Sequence, residues 1–256
     1  MPDFYCWDYP VKKYLKTAKS AIPDAGFPDV LPFSNEISAR LISRKILSNH
    51  FYEIIFEVAE TVLYIPGQHC YLEVAKGEWR PYSIVSSDGN RLTFIIDSNP
   101  CGVGSGFAKE APLEKAIKLR LPTGTLRIQN TKNENIVFVS TGSGITPFFA
   151  MLQGLSLSSK KHKQITLLWG IGDVSDEFSS QYLAEATKLL NLTTIPCMPQ
   201  PTTLQYFYYG RVTTKIRELQ LDFKNTDFYL CGNPAMINEM HSWLRNQGAS
   251  CIYFEM

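Results

Sequence analysis

A strand-like apolar run, a glycine loop and a helix-like apolar run follow one another in the second half of the chain. I-V-F-V at 136–139 precedes T-G-S-G-I-T-P at 141–147, and F-F-A-M-L follows at 148–152. A glycine turn that leads from a strand into a helix presents backbone N–H groups where they favour an anion. Pro147 suits the first helical turn, because no helical N–H is lost there. The order predicts an anion-binding turn.

Strand and helix patterns alternate from this loop onward. Strands are predicted at 136–140, 165–169, 192–195, 228–231 and 250–254, and helices at 147–155, 175–190, 212–218 and 234–247. Strands that alternate with helices indicate a parallel sheet, whose crevice lies beyond the carboxyl ends of the strands. We therefore expect a doubly wound α/β domain over residues 134–256, with the glycine loop and Cys231 at its crevice.

The preceding segment has a different pattern, of short alternating or β-rich runs between turns. They lie at 38–48, 50–58, 69–74, 79–85, 91–97, 117–121 and 126–128. Many short strands between turns are typical of a closed antiparallel barrel. The sequence therefore predicts a two-domain β + α/β protein, with an antiparallel β-barrel at 36–130 and a polar linker at 131–135.

A second glycine-rich loop, N-P-C-G-V-G-S-G-F at 99–107, leads into a short predicted helix. Such a loop presents several N–H groups to a phosphate. Alone it is ambiguous, because glycine-rich turns also occur for steric reasons.

Composition excludes several classes of function. The formal net charge of +1 indicates neither a nucleic acid nor an acidic membrane as partner, and no apolar run reaches the ~20 residues of a membrane span. The six cysteines are scattered, so neither zinc nor an iron–sulfur cluster is expected, and no metal site is predicted. The scattered cysteines and an N-terminus without a secretory pattern favour a reducing, cytoplasmic location.

Three motifs occur in a recognisable order: R-P-Y-S at 80–83, G-x-G-x-T-P at 142–147 and C-G-N-P-A-M at 231–236. In these motifs the chain resembles the ferredoxin–NADP reductase superfamily of FAD-containing enzymes, from about Ser38 to Glu255. The resemblance implies that the barrel binds FAD and that the α/β domain binds NAD(P)H. FAD would contact Arg80, Pro81, Tyr82, Ser83, Gly102, Gly104 and Ser105. The nicotinamide coenzyme would contact Thr141, Gly142, Gly144, Thr146, Gly232, Pro234 and Met236.

The resemblance also implies roles for single side chains. Arg80 would neutralise the FAD pyrophosphate, because a planar guanidinium bridges phosphate oxygens well. Tyr82 would stack on the isoalloxazine, and Ser83 would hydrogen-bond near the ring nitrogen that accepts hydride. The alternatives are a surface arginine, a packed core tyrosine and an ordinary strand serine.

The catalytic residues implied are Ser83, Cys231 and Glu255. Cys231 would end a strand beside the nicotinamide and assist alignment rather than act as a covalent nucleophile; the alternative is a small buried hydrophobe. Glu255 matches a carboxylate that passes a proton to the flavin. His69 either contacts the flavin or is structural. Tyr253 or Phe254 either covers the flavin or packs in a strand.

The sequence favours NADH over NADPH. The segment P-C-M-P-Q-P at 196–201 has no cation where NADP-specific members place an arginine, and Asp173 would repel a 2′-phosphate. Arg211 or Lys188 would reverse this preference.

The function implied is a reductase that passes electrons from NAD(P)H through FAD to ferredoxin or flavodoxin. Two alternatives stay open: an oxidoreductase that uses free flavin as a substrate, and an electron-relay subunit of a larger complex. Residues 1–35 lie outside the resemblance and form an N-terminal extension, predicted to be either a surface strap or a docking element.

Overall fold

The computed structural model describes residues 36–158, 160–200 and 205–255. The predicted N-terminal strap or docking element lies outside these residues. The described chain forms a closed antiparallel barrel followed by a parallel sheet flanked by helices. This arrangement confirms the predicted fold class.

Six strands close the barrel in the order β1-β2-β5-β4-β3-β6. Alternate side chains point inward, and large apolar ones such as Leu41, Phe56, Leu72 and Phe94 are fully buried. One helix, α1 (Val103–Glu110), connects β5 to β6. The strands are β1 (Glu36–Ile46), β2 (Phe51–Val58), β3 (His69–Ala75), β4 (Glu78–Asp88), β5 (Arg91–Asp97) and β6 (Ala116–Thr123).

The strand predicted at 126–128 is wrong. Strand β6 already pairs with both β1 and β3, so the barrel has no edge left for a further strand. Leu126 is instead buried in an apolar cluster shared by the two domains. Its apolar character therefore comes from packing between domains.

The second domain has a six-stranded sheet in the order β10-β9-β8-β7-β11-β12, and every pairing in it is parallel. Its strands are β7 (Asn135–Thr141), β8 (Gln164–Gly170), β9 (Leu192–Met198), β10 (Tyr208–Tyr209), β11 (Thr226–Cys231) and β12 (Ile252–Phe254). Its helices are α2 (Thr146–Leu157), α3 (Ser179–Leu189), α4 (Val212–Glu218) and α5 (Pro234–Asn246).

Two details differ from the predicted pattern. Helix α3 begins at Ser179 rather than at 175, because Val174–Asp176 forms a 3₁₀ turn capped by Asp173. The two-residue strand β10 was not predicted, since so short a run has no alternation to detect.

The chain changes direction within the sheet between β7 and β11. From β7 it proceeds outward through β8, β9 and β10, then crosses to β11 and β12 on the other side. The carboxyl ends of β7 and β11 therefore flank the topological switch point, where open α/β sheets bind ligands. The glycine loop follows β7, and Cys231 ends β11.

The two domains share one apolar core. Phe51, Val85 and Ile95 of the barrel lie in the same buried cluster as Phe149 and Phe178. The rings of Phe51 and Phe178 are 5.0 Å apart. Helix α2, directly after the glycine loop, packs on β4, the strand that carries R-P-Y-S. This packing fixes the two motifs on facing sides of one cleft.

Candidate functional site

A cleft of about 920 Å³ lies between the barrel and the carboxyl edge of the parallel sheet. The barrel contributes His69, Tyr82 and Ser83 to its lining, and the α/β domain contributes the glycine loop and Cys231. The structure therefore brings together residues of all three sequence motifs. Those predicted site residues that line the cleft are Pro81, Tyr82, Ser83, Thr141, Gly142, Gly144, Thr146, Cys231, Gly232 and Glu255.

The ends of β7 and β11 approach each other closely. A Cβ at Gly144 would lie 2.4 Å from the carbonyl oxygen of Cys231, and one at Gly232 would lie 2.4 Å from Oγ1 of Thr141. Gly232 also has φ +128°, which L side chains rarely adopt. Both glycines are therefore required by backbone packing at the switch point, whether or not a ligand approaches them.

Hydrogen bonds hold this junction. Oγ1 of Thr141 accepts from the backbone N–H of Asn233 at 2.8 Å, and the Asn233 side chain caps α5 by accepting from Ala235 N at 2.8 Å. Oγ1 of Thr146 donates to the carbonyl of Ser143 at 2.8 Å. The loop is thus fixed before a coenzyme binds. Pro234 occupies the first turn of α5, behind the Asn233 cap.

The thiol of Cys231 is held in its neutral form. Burial, and secondly the negative charge of Glu255, raise the pKa of this thiol to about 12. The thiolate is the nucleophilic form of cysteine, so a neutral thiol is unsuited to covalent attack at physiological pH. This state agrees with the predicted role in alignment.

Glu255 reaches the cleft from the last strand. Leu230 pairs with Phe254 in the β11–β12 ladder, so Cys231 and Glu255 leave the sheet side by side. One carboxylate oxygen accepts from the N–H of Thr125 at 3.3 Å, and the other lies 3.4 Å from Nδ1 of His69. The carboxylate therefore joins the end of the α/β domain to the barrel.

The R-P-Y-S strand has Tyr82 and Ser83 facing the cleft. Burial raises the pKa of the Tyr82 phenol, which keeps the ring neutral. Ser83 pairs with His69 across the β4–β3 ladder. Arg80 lies outside the cleft lining, where its guanidinium donates to the carbonyl of Trp79 at 2.8 Å and to Glu78 at 3.0 Å.

The second glycine-rich loop abuts this strand. A Cβ at Gly104 would lie 2.2 Å from the hydroxyl of Tyr82 and 3.7 Å from Cγ of Arg80. Gly102 precedes the helix α1, with open space around its Cα. Ser105 is buried, and its hydroxyl donates to the carbonyl of Pro100 at 2.7 Å. Gly104 thus borders Tyr82 and Arg80, and none of these three residues lines the main cleft.

Met236, Tyr253 and Phe254 do not line the cleft. Met236 is 7% exposed and packs in the apolar core on the far face of the sheet, and its predicted coenzyme contact stays a prediction. The ring of Tyr253 lies 5.1 Å from that of Tyr229, and that of Phe254 lies 5.2 Å from that of His241. Tyr253 therefore packs against the core of the sheet, whereas Phe254 is exposed and contacts helix α5.

Sequence reasoning missed Asp97. This residue ends β5 and lines the cleft, with Oδ2 located 3.8 Å from where a Cβ of Gly142 would lie. An acidic residue at the junction of a strand and a glycine-rich loop was the available signal. Together with Glu255 it gives the cleft two carboxylates, and no Lys or Arg of the described chain lines it.

Within the described residues, no group of three or more His, Cys, Asp or Glu side chains is placed to hold a metal. No helix in this part of the chain is long and apolar enough to cross a membrane.

A closed antiparallel barrel is thus joined to a parallel-sheet domain, with a cleft at the switch point of the sheet. Residues 138–242 match the family described as the oxidoreductase NAD-binding domain. The FAD/NAD-binding domain of nitric oxide dioxygenase from Vibrio cholerae is similar in structure, with a TM-score of 0.75 and 21% identity, covering 86% of this chain and 97% of that one. A ferredoxin NADP⁺ reductase from Neisseria gonorrhoeae has a TM-score of 0.74 and 19% identity, covering 87% and 98%.

The chain is also similar in sequence to curated proteins. The toluate 1,2-dioxygenase electron transfer component of Pseudomonas putida is 28% identical over 88% of this chain and 65% of its own length. The naphthalene 1,2-dioxygenase ferredoxin reductase component of the same species is 27% identical, over 72% and 57%. The chain thus spans about three fifths of the length of these relatives. The comparisons confirm the resemblance to the ferredoxin–NADP reductase superfamily, whose fold this chain shares.

Proposed function

We propose that this chain is an FAD-dependent reductase that takes hydride from NAD(P)H and passes electrons to a small redox protein such as ferredoxin or flavodoxin. The observation that supports it best is the cleft itself, which is lined on one side by the R-P-Y-S strand and on the other by the glycine loop and Cys231. In this proposal residues 36–130 form the FAD domain and residues 134–256 the NAD(P) domain.

The residues on the barrel side fit FAD. The cleft volume lies in the range of cofactor pockets. Tyr82 offers a neutral ring at the cleft wall, and Ser98, beside the cleft residues Asp97 and Asn99, has a buried hydroxyl without a hydrogen-bond partner. Arg80, whose side-chain stem lies beside Gly104 and whose guanidinium is exposed, would hold the pyrophosphate. A bound flavin would supply the capacity to accept two electrons together and release them singly.

The residues on the sheet side fit a dinucleotide. The glycine loop at the start of α2 offers backbone N–H groups at a helix N-terminus. The fixed loop and the neutral Cys231 thiol would orient the nicotinamide against the barrel side. Gly232 and Thr146 in the cleft lining, together with Pro234 in the first turn of α5, would also contact the coenzyme.

We propose NADH as the preferred coenzyme. Asp173 follows the carboxyl end of β8, and its hydrogen bonds to Ser175 lower its pKa, so it carries a negative charge. A phosphate near this carboxylate is disfavoured. Lys188 is paired with Glu185 on the exposed side of α3, and Arg211 precedes α4.

The names of the relatives support a protein acceptor, since two are called an electron transfer component or a ferredoxin reductase component of a dioxygenase. We therefore favour a ferredoxin-type protein over free flavin as the electron acceptor. The cytoplasmic location stays a prediction.

Steady-state rates with NADH and NADPH, first with ferricyanide and then with a ferredoxin or flavodoxin, test this function. We expect yellow protein that retains FAD through gel filtration, a higher kcat/KM with NADH, and reduction of the protein acceptor. Flavin that appears only in the filtrate would favour the free-flavin enzyme. Co-elution in a large complex from native extracts, with no turnover of the isolated chain, would favour the relay subunit.

A further inference from the structure

A histidine bridges two carboxylates across the domain boundary. His50 lies in the turn between β1 and β2, and its Nδ1 is 2.8 Å from Oδ1 of Asp97 at the end of β5. Its Nε2 is 3.1 Å from a carboxylate oxygen of Asp176, in the 3₁₀ turn of the α/β domain. The ring therefore connects the barrel side of the cleft to the other domain.

Only one protonation state satisfies both contacts. An ionised carboxylate accepts hydrogen bonds and donates none, so each ring nitrogen of His50 must carry a proton to bond its partner. The geometry thus requires an imidazolium cation between two anions. Burial by itself lowers the pKa of His50, but the hydrogen bond to Asp97 and the charges of Asp176 and Asp97 outweigh it and leave the pKa raised.

Each carboxylate is held further. Asp176 is 1% exposed and accepts from the hydroxyl of Ser48 at 2.7 Å. Oδ1 of Asp97 also accepts from the N–H of Asn99 at 2.8 Å. Both known bonds to Asp97 thus use Oδ1, whereas Oδ2 is directed toward the glycine loop at Gly142.

We propose that His50 is a positioning residue that fixes the Asp97 carboxylate on the barrel side of the cleft, facing the glycine loop, where Oδ2 accepts from a sugar hydroxyl of the dinucleotide. The proposal rests on the proposed function for the identity of that ligand. A carboxylate is a strong acceptor for a hydroxyl donor, and its fixed orientation lowers the entropy lost on binding. Asp176 and Ser48 serve as the anchor on the far side of the ring.

The bridge gives the cleft a dependence on pH. The charged groups that face His50 are Asp97 from β5, and Asp176 and Asp173 from the turn before α3. Since the folded pKa is raised, the stabilising contribution is complete below the unfolded value of about 6.5 and is lost as pH rises through the folded value. Coenzyme affinity should fall over the same window.

His50→Gln and Asp97→Asn test the proposal. His241→Gln is the matched control, since His241 is a half-buried histidine that contacts Phe254. The first readout is the thermal unfolding midpoint from pH 5.5 to pH 9, measured without coenzyme. As pH rises, we expect the unfolding midpoints of wild type and H241Q to fall by about 2–4 °C more than that of H50Q. A shift of this size corresponds to the loss of one weak interaction in a chain of this length.

The second readout separates positioning from stability. In the FAD-loaded protein, H50Q and D97N should each raise KM for NADH about tenfold, the value of one charge-assisted hydrogen bond, and leave kcat largely unchanged. A changed midpoint profile with an unchanged KM would make the bridge merely structural and overturn the proposal, as would unchanged values of both. Wild-type protein that never reduces flavin would overturn the proposed function instead, because the midpoint profile needs no coenzyme.

Discussion

Nδ1 of His69, on barrel strand β3, lies 3.4 Å from the carboxylate of Glu255, after the last strand of the α/β domain. The contact places a carboxylate in the same cleft as Ser83 and Cys231. It also joins the two domains, because His69 belongs to the barrel and Glu255 to the α/β domain. The chemistry of the cleft therefore depends on residues from both domains.

Replacing this carboxylate tests its predicted role in proton transfer. Glu255→Gln keeps an acceptor for the N–H of Thr125 but cannot carry a proton. We expect turnover about a hundredfold slower, the low end for general acid–base catalysis, because the side chain is 27% exposed and water replaces it in part. Steady-state rates at constant FAD content measure this, with the surface Glu239→Gln as control. Full activity of E255Q would remove Glu255 from the catalytic residues.

Loss of Arg80 should weaken FAD binding. Arg80→Ala removes an exposed guanidinium from a side chain whose stem lies beside Gly104, and the missing charge-assisted bond should lower FAD affinity about ten- to a hundredfold. Flavin absorbance after dilution and ultrafiltration measures the loss. Arg120→Ala is a matched control, since Arg120 has similar exposure and also pairs with a glutamate. Equal FAD retention in both variants would contradict the assignment.

The close approach of the two strand ends predicts a steric effect. Gly144→Ala places a Cβ 2.4 Å from the Cys231 carbonyl oxygen, so the backbone must shift. We expect a loss of about 1–3 kcal/mol of unfolding free energy, the usual cost of overpacking, measured by denaturant titration. Gly106→Ala in α1 meets nothing within 4 Å and should be neutral or slightly stabilising. If both variants are equally stable, the junction is looser than described.

Cys231→Ser should retain FAD and slow flavin reduction by NADH. The thiol has a pKa of about 12, so the wild-type rate should show no thiol titration below pH 10, and iodoacetamide should modify exposed Cys101 before Cys231. Single-turnover mixing at several pH values measures the rate, with Cys101→Ser as control. A C231S rate equal to wild type would return Cys231 to a packing role.

Much of this architecture was predictable from local patterns. The apolar and polar side chains around Leu72 and Phe94 alternate with the period of a β-strand, which a short stretch of sequence reveals. The order of strand, loop and helix at Gly142 is equally local. Leu126 was misassigned because its burial comes from contact between domains. Met236 was assigned to the site because it belongs to a motif, and the burial of its side chain in the apolar core beside the parallel sheet was not predicted.

The contacts of the site that were not predicted join residues far apart in the sequence. Neither the His50 bridge to Asp97 and Asp176 nor the contact of His69 with Glu255 has a spacing that sequence alone reveals. Each is produced by the packing of one domain on the other. The motif residues were found because each motif is a short contiguous stretch. The charged residues that contact them were not found, because they come from distant segments of the chain.

Anaerobic titration of the FAD-loaded protein with NADH, followed by flavin absorbance, tests the central claim most directly. The account predicts that FAD stays bound to the purified protein and that its absorbance near 450 nm bleaches with about one equivalent of NADH, as hydride transfer of two electrons requires. Protein that binds no FAD, or bound flavin that NADH leaves oxidised, would contradict it.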